Sequence, residues 1–280
     1  MKIRINYYFF KLYFIYNSYM KIHFWTLKGR RKTNQDAHTI FNNINGNDKS
    51  KNDIIILGCY DGHGEEVEGK GDCISKFLSN NIPEIYGNLK YKYPFNDTFH
   101  KKVFEILQRK CLENKESYRS GSTCVISIIY KYDGKLIMEV INLGDSRCGI
   151  IYKNNKFLQI TEDHSPDNPK ERQRIESMGG KIIKDSYGIS RINGLSVSCG
   201  IGDSEINYIS HKPDIFRKII TNDIKYIILN CDGLVESLTN EDIVKYIHKY
   251  KKSNNVAKEL ALKAYKKGSD DNISVILLEF

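Results

Sequence analysis

The hydrophobic positions of this chain form two kinds of pattern, and each predicts a different element. Short apolar runs without alternation, of which residues 54–60 are the clearest, predict strands buried on both faces. Residues 97–116 instead place Phe99, Val103 and Leu107 at helical spacing, which predicts an amphipathic helix. Similar patterns predict strands at 21–27, 37–41, 122–132, 136–142, 148–152, 157–160, 205–210, 225–231 and 273–280, and helices at 65–78, 170–178, 239–250 and 256–264.

The order of these elements favours an α+β fold with antiparallel sheets over a doubly wound fold. No alternation of strands with helices is sustained, and short turns join the strands between residues 122 and 160, which is typical of a meander. No repeat, linker or composition change divides residues 20–280, so we expect one domain there. The polar, glycine-rich residues 163–202, called the lid below, are expected to form a flap on it.

Residues 1–19 differ from the rest of the chain. An apolar, aromatic stretch follows Lys2 and Arg4 and faintly resembles a signal peptide, but Lys11 interrupts it and no small-residue cleavage site follows. The stretch is also too short to span a bilayer. We therefore interpret it as an extension, either a tail or an extra edge strand, and do not expect a membrane partner. Targeting or anchoring is the alternative interpretation.

Composition narrows the possible partners and the compartment. The net charge of the 280 residues is +9, yet no Lys/Arg block with interleaved aromatic residues appears. We therefore expect surface lysines rather than a nucleic-acid face. The seven cysteines form no Cys-x-x-Cys pair, and their odd number argues for a reducing compartment, the cytoplasm or the nucleus.

The candidate functional residues lie where apolar runs end. Residues 54–60 lead directly into Asp61-Gly62-His63-Gly64, which presents a carboxylate, an accessible backbone carbonyl and an imidazole together. Asp145 and Asp232 follow later runs in the same way. Such groups suit a hard divalent cation with an acid or base beside it, whereas a lone Asp-Gly is usually only a turn. Several carboxylates meeting at one rim would repel each other unless a cation neutralised them.

Nine motifs in chain order, from about residue 28 to residue 280, resemble the metal-dependent Ser/Thr protein phosphatases of the protein phosphatase 2C (PPM) family. The motifs lie at Arg31 with Gln35-Asp36, 61–64, 120–123, 142–147, 161–164, 171–174 with 179–180, 195–203, 232–234 and 268–272. The resemblance implies a four-layer α-β-β-α sandwich of two antiparallel sheets flanked by helices. It also implies two Mn²⁺ or Mg²⁺ ions between the sheets at one edge.

The resemblance also implies a role for each matching residue. Asp61, Gly62, Asp232 and Asp271 would hold the two ions, and Gln35 and Asp36 would lie just outside, near metal-bound water. Arg31 would bind the substrate phosphate, because a guanidinium fork fits phosphate oxygens. His63 would protonate the leaving oxygen. The candidates for a weaker third ion are Asp145, Asp203 and Glu236.

The implied activity is hydrolysis of phosphoserine and phosphothreonine in protein substrates by a metal-activated water. The alternative is a pseudophosphatase that keeps the fold and acts as a binding module. Three departures from the family pattern motivate it: Gln35 for glutamate, Glu65 for glycine and Cys199 for arginine. A fourth, Glu236 for aspartate, bears on the third ion instead. Cys199 as a catalytic nucleophile is disfavoured, because nothing places a His-Asn pair beside it.

Overall fold

The computed structural model describes residues 20–44, 46, 48–64, 71–113 and 120–280. The predicted N-terminal extension, Glu65 and the first residues of the helix predicted at 65–78 lie outside these ranges. The strands of the described part are β1 Lys21–Leu27, β2 Ala37–Asn42, β3 Ile54–Tyr60, β4 Gly62–Gly64, β5 Ser120–Ser122, β6 Cys124–Tyr132, β7 Lys135–Leu143, β8 Arg147–Tyr152, β9 Phe157–Gln159, β10 Ile183–Lys184, β11 Ser190–Arg191, β12 Ile201–Gly202, β13 Asp214–Ile220, β14 Ile224–Asn230 and β15 Ile273–Glu279. Its helices are α1 Cys73–Tyr86, α2 Asp97–Leu112, α3 Pro169–Ser177, α4 Asp232–Val235, α5 Asn240–Tyr250 and α6 Val256–Lys266.

Two five-stranded antiparallel sheets form the centre of the fold. The first has the strand order β13-β7-β6-β3-β2, and the second has the order β1-β15-β14-β8-β9. Alternate residues of β3 point to opposite sides of the first sheet. Ile55 and Leu57 belong to the core between the sheets, whereas Ile54 and Ile56 belong to the core under the helices. Every residue of β3 is buried, as predicted from its unbroken apolar run.

Helices cover the outer face of each sheet. Leu78 of α1 and Phe104 of α2 are buried in the core on the outside of the first sheet. Ile243 of α5 and Leu260 of α6 share a core with Ile228 and other residues on the outside of the second sheet. The result is four layers, helix, sheet, sheet and helix, which confirms the predicted α+β sandwich.

Two predictions about strands are wrong. The strands between residues 122 and 160 do not form one meander, because β6 and β7 belong to the first sheet and β8 and β9 to the second. Residues 205–210 are not a strand, because Ile206 and Ile209 instead pack with Ile175 and Ile192 in a small separate core. Among the strands that were not predicted, the long strand β13 lies at the edge of the first sheet and pairs with β7. Its mixed pattern of burial explains why hydrophobicity did not reveal it.

The lid contains the predicted helix, now α3, and the two-stranded hairpin of β10 and β11. The lid ends in β12, which pairs with β5, and β5 pairs in turn with β4. This three-stranded sheet joins the end of the lid to the Gly62–Gly64 segment. Among the described residues, no helix has both the length and the apolar character needed to cross a membrane.

Candidate active site

Carboxylates from both sheets meet where the central strands end. Asp61 directly follows β3, Asp232 begins α4 just after β14, and Asp271 lies two residues before β15. Thr123 fixes the backbone of Asp61 in both directions: the Asp61 N–H donates to Thr123 Oγ1 at 3.1 Å, and the Thr123 N–H donates to the Asp61 carbonyl at 2.9 Å. The carboxylate therefore stands on a rigid support at the rim between the sheets.

The aspartates of this rim raise each other's pKa. Burial, with the charge of Asp232 adding to it, raises the pKa of Asp36 to about 7. Burial and neighbouring carboxylates likewise raise the pKa of Asp145 to about 8 and that of Asp232 to about 6. The pKa of Asp61 is also raised, chiefly by burial and then by Asp232. We call Asp36, Asp61, Asp145 and Asp232 the rim cluster.

The rim cluster fits a hard divalent cation. Within the described part of the chain, the buried Oδ1 atoms of Asp36 and Asp232 have no hydrogen-bond partner. Ligand atoms of Asp36, Asp61 and Cys231 lie within 4.8 Å of one another. Carboxylate oxygens are the donors that Mg²⁺ and Mn²⁺ prefer. An open cavity of about 170 Å³ borders the cluster, and its lining includes Arg31, Asp61, Gly62, His63, Asp145, Asp232 and Asp271.

Gly62 leaves no room for a side chain at this site. A Cβ there would lie 2.4 Å from the Gln35 carbonyl oxygen and 2.7 Å from that of Gly71. The Gln35 N–H donates to Asn272 Oδ1 at 2.8 Å, so this loop is fastened to the start of β15. The backbones of Gln35 and Gly62 are thus brought together.

His63 faces a buried carboxylate. Its Nε2 lies 2.9 Å from Asp203 Oδ2 and 3.0 Å from Oδ1, and Asp203 is only 2% exposed. Burial lowers the pKa of His63, but the charge of Asp203 and the hydrogen bond to it more than offset this, so the pKa is raised. Gly121 makes this pair possible, since a Cβ there would lie 2.5 Å from His63 Nε2 and 2.2 Å from Asp203 Oδ2.

Arg31 reaches the same cavity from the loop before β2. Its Nη2 donates to Asp271 Oδ2 at 2.6 Å, and about half of its side chain is exposed. Asn272 holds this loop, because its Nδ2 donates to the carbonyls of Lys28 at 2.7 Å and Thr33 at 2.9 Å. The candidate phosphate-binding cation and a candidate metal ligand are therefore in direct contact.

The family model described as "Protein phosphatase 2C" matches residues 20–273 of this chain. The chain belongs to the protein phosphatase 2C family. Probable protein phosphatase 2C 17 of Arabidopsis thaliana is 29% identical over 270 residues, covering 93% of this chain and 89% of its own length. Probable protein phosphatase 2C 11 of the same plant is 31% identical over 263 residues and 91% of this chain, which spans 65% of that relative's length.

Solved structures agree with the fold of protein phosphatase 2C. A phosphatase from Toxoplasma gondii superposes with a TM-score of 0.78 at 21% identity, over 94% of this chain and 93% of that one. A C. elegans sex determining protein gives a TM-score of 0.79 at 25% identity, over 94% of this chain and 65% of that one. Both matches cover 94% of this chain, so the predicted architecture of the family holds here.

The three residues predicted to bind a third ion have different surroundings in this phosphatase 2C domain. Asp145 lines the cavity, whereas Asp203 is bonded to His63. Glu236 Oε2 accepts hydrogen bonds from Ser269 Oγ at 2.9 Å and from the Asp270 N–H at 3.1 Å, which fixes the turn before β15. A third ion stays a prediction, and among these residues Asp145 is the one with access to the cavity.

Sequence reasoning missed three residues that shape this phosphatase 2C site. Ser274 Oγ donates to Asp36 Oδ2 at 2.6 Å, and Asn272 fastens the loop that carries Arg31 and Gln35. The Cys231 thiol contacts the Asn272 carbonyl at 3.3 Å and accepts the Ser274 N–H at 3.1 Å. Burial raises the pKa of this thiol, so it joins β14 to β15 as a neutral group. The signal for all three was their position within three residues of Asp232 or Asp271 in sequence.

Proposed function

We propose that this chain is a metal-dependent phosphatase that hydrolyses phosphoserine and phosphothreonine in protein substrates. Two Mn²⁺ or Mg²⁺ ions would be held by Asp61, the Gly62 carbonyl, Asp232 and Asp271, with Gln35 and Asp36 just outside. One observation carries the proposal: a set of partly buried, mutually destabilising carboxylates borders the same cavity as Arg31 and His63. Such perturbed carboxylates in a cleft are typical of functional sites.

The residues around the cavity supply the remaining chemistry. When bound, the two cations would neutralise the phosphate and make a water nucleophilic near neutral pH. Arg31 offers N–H donors to the non-bridging phosphate oxygens, which orients the phosphoryl group. Because Asp203 occupies the Nε2 side of His63, the proton for the departing serine or threonine oxygen would come from Nδ1. The charge of Asp203 favours the protonated imidazole that this role requires.

The test compares phosphate release in Mn²⁺, in Mg²⁺ and in EDTA, from p-nitrophenyl phosphate and from a phosphothreonine peptide. We expect activity with either cation and none in EDTA, and we expect Asp61→Asn and Asp232→Ala to abolish it. Asp270→Asn is the matched control, because Asp270 is an exposed neighbour of Asp271 that pairs with Arg30 instead. Hydrolysis that persists in EDTA or in Asp61→Asn would overturn the proposal.

A pseudophosphatase acting as a binding module is the second candidate. The observation in its favour is that Arg31, the residue for the substrate phosphate, is paired with Asp271. Glu65, one of the departures that motivate it, lies outside the described residues. Titration calorimetry decides between the two candidates, because a folded protein that takes up no Mn²⁺ fits only the binding module.

For localisation we propose a reducing compartment, the cytoplasm or the nucleus. All seven cysteines are free thiols, and all but Cys73 are buried. Imaging of the tagged chain with and without residues 1–19 tests this proposal and the alternative of targeting. Entry of the intact chain into the secretory pathway would contradict it.

A further inference from the structure

The cavity at the rim cluster has a second guanidinium in its lining. Arg31 comes from the loop before β2, whereas Arg191 comes from β11 in the lid, and both line the same cavity. The two guanidinium groups have different carboxylate partners. Arg31 pairs with Asp271, a candidate metal ligand, but Arg191 pairs with Asp185 of the lid itself. Arg191 is therefore not needed to offset the charge of the rim cluster.

The residues on either side of Arg191 are firmly anchored. Ser190 is 1% exposed, and its Oγ donates to Asp167 Oδ1 at 2.6 Å. Ile192 is fully buried in the small core that also contains Ile175. Because successive side chains of a strand point to opposite faces, burying Ser190 and Ile192 turns Arg191 away from that core. The side chain of Arg191 is 34% exposed.

The lid engages only part of the Arg191 guanidinium. Nε donates to Asp185 Oδ2 at 2.7 Å, and Nη1 donates to the Gly194 carbonyl at 3.0 Å. A guanidinium carries five N–H donors in a rigid fork, so donors remain that can bind an anion. The other oxygen of Asp185, Oδ1, accepts the N–H groups of Tyr187 at 2.9 Å and Ile189 at 3.0 Å. Asp185 thus shapes the hairpin with one oxygen and restrains Arg191 with the other.

We propose that Arg191 is a specificity-determining residue that binds the carboxylate of an acidic residue beside the phosphorylated residue of the substrate. This inference rests on the proposed function and names a class of phosphoprotein, one with acidic flanks. The scissile phosphate belongs with Arg31 and the rim cluster, so a second anion of the same substrate is the group that Arg191 is placed to meet. A protein segment is the occupant, because the hairpin beside Arg191 exposes Ile183 by 68% and Tyr187 by 87%, which a neighbouring peptide chain can cover.

The experiment uses three phosphothreonine peptides that differ only in the flanking residues, which are glutamate, glutamine or lysine. Both kcat/KM and the binding of matching peptides with a non-hydrolysable phosphonate are measured with Mn²⁺ on the full chain. We expect the native protein to prefer the Glu peptide over the Gln peptide about tenfold, the effect of one charge-assisted hydrogen bond at a partly exposed site. The preference should fall as salt is raised.

Two variants distinguish anion binding from a merely structural role of Arg191. In Arg191→Gln we expect the Glu:Gln preference to fall to about one. In Asp185→Asn we expect it to rise above the native value, because the amide oxygen can still accept the Tyr187 and Ile189 N–H groups while the competing charge is gone. If Arg191 only stabilised the hairpin, both variants would change the preference in the same direction, and thermal melts would report the damage.

The outcomes also separate this inference from the proposed function. A protein that hydrolyses none of the peptides but still prefers the Glu phosphonate, and loses this preference in Arg191→Gln, contradicts catalysis and supports Arg191. A native protein without preference for the Glu peptide in either assay overturns the role of Arg191. Retention of the native preference in Arg191→Gln would overturn that role as well.

Discussion

Two groups of carboxylates in this fold lie in opposite electrostatic environments. Glu139, on β7, is fully buried and receives hydrogen bonds from His100 Nε2 at 3.1 Å, Tyr130 Oη at 3.0 Å and Arg217 Nε at 2.9 Å. Burial alone would raise the pKa of Glu139, but the bonds from His100 and Arg217 outweigh it, so the pKa is lowered. We call these four residues the Glu139 network. In the rim cluster the pKa of every member is raised.

This contrast distinguishes buried charges that serve the fold from those that serve a ligand. Arg217 joins the Glu139 network to Asp97 at the start of α2 and to the Phe95 carbonyl, so the protein supplies its own counter-charge. Arg31 lies at the edge of the rim cluster, where it forms an ion pair with Asp271. Burying unpaired like charges costs stability, and a protein keeps such a cost where a function needs it.

Removing the counter-charge of Glu139 should have the strongest effect. Arg217→Met should lower the free energy of unfolding by about 3 kcal/mol, because it leaves a buried carboxylate without its cation. We take the lower end of the usual range because 37% of the Arg217 side chain is exposed. Urea unfolding measures this loss, with Asp97→Asn as the control, where an exposed partner should cost about 0–1 kcal/mol. A loss below about 1 kcal/mol in Arg217→Met would show that the network is not the main anchor.

The second prediction compares how variants in the Glu139 network and in the rim cluster respond to Mn²⁺. Mn²⁺ at about 100 times its dissociation constant should stabilise the native protein by about 2.7 kcal/mol, since it binds only the folded state. Mn²⁺ should stabilise Arg217→Met by the same amount as the native protein. Asp61→Asn should lose this stabilisation and be more stable than the native protein in EDTA, because one of the repelling charges is gone. Thermal melts with and without Mn²⁺ measure all three, and equal melting of native protein in Mn²⁺ and EDTA would refute the cation site.

A smaller effect tests the contact between His63 and Asp203. Gly121→Ala should cost about 1–3 kcal/mol of stability by overpacking, because the new Cβ meets both side chains. It should also reduce kcat more than it changes KM, since in the proposed mechanism the imidazole of His63 acts on the leaving group. Gly200→Ala is the control, with its nearest contact at 3.2 Å, and should change kcat less. Steady-state kinetics on a phosphothreonine peptide provide the measurement.

The weakest effect is the pH dependence that Glu139 contributes. Its pKa is lowered in the folded protein from the ordinary value of 4.5, so the stabilisation is fully present above that pH. It is lost as the pH falls through the folded-state pKa, when the carboxylate takes up a proton. Acid unfolding followed by circular dichroism should therefore show a steeper loss of stability below about pH 4.5 in the native protein than in Glu139→Gln. Parallel curves for the two proteins would contradict this assignment.

The sequence revealed the fold best where local pattern and burial agree. The unbroken apolar run before Asp61 predicts a strand buried on both faces, because its seven residues suit a strand in length and its three isoleucines favour one. The edge strand β13 escaped prediction, because only one neighbour in the described sheet and partial burial shape its composition. The strands β6 to β9 are divided between two sheets by tertiary packing, which the turn residues between them do not determine.

In the candidate site, too, the sequence predicts the residues that belong to local motifs but not the contacts between distant parts of the chain. Asp61, Gly62, Asp232 and Asp271 could be named from their motifs, because each stands at a strand end or beside one. The partner of His63 could not be named, since Asp203 is 140 residues away in sequence and reaches it only through the β12-β5-β4 sheet. The same holds for Asn272 and the Lys28–Thr33 loop, which lie at opposite ends of the chain.

The contact between Arg31 Nη2 and Asp271 Oδ2 has a consequence for the order of events in a catalytic cycle. One carboxylate oxygen cannot serve a guanidinium and a divalent cation equally well, so under the proposed function a cation held by Asp271 would loosen Arg31. Arg31, the candidate ligand of the substrate phosphate, would then be released only after the cations are bound. Cation-starved protein should then leave phosphorylated targets unbound instead of holding them unproductively.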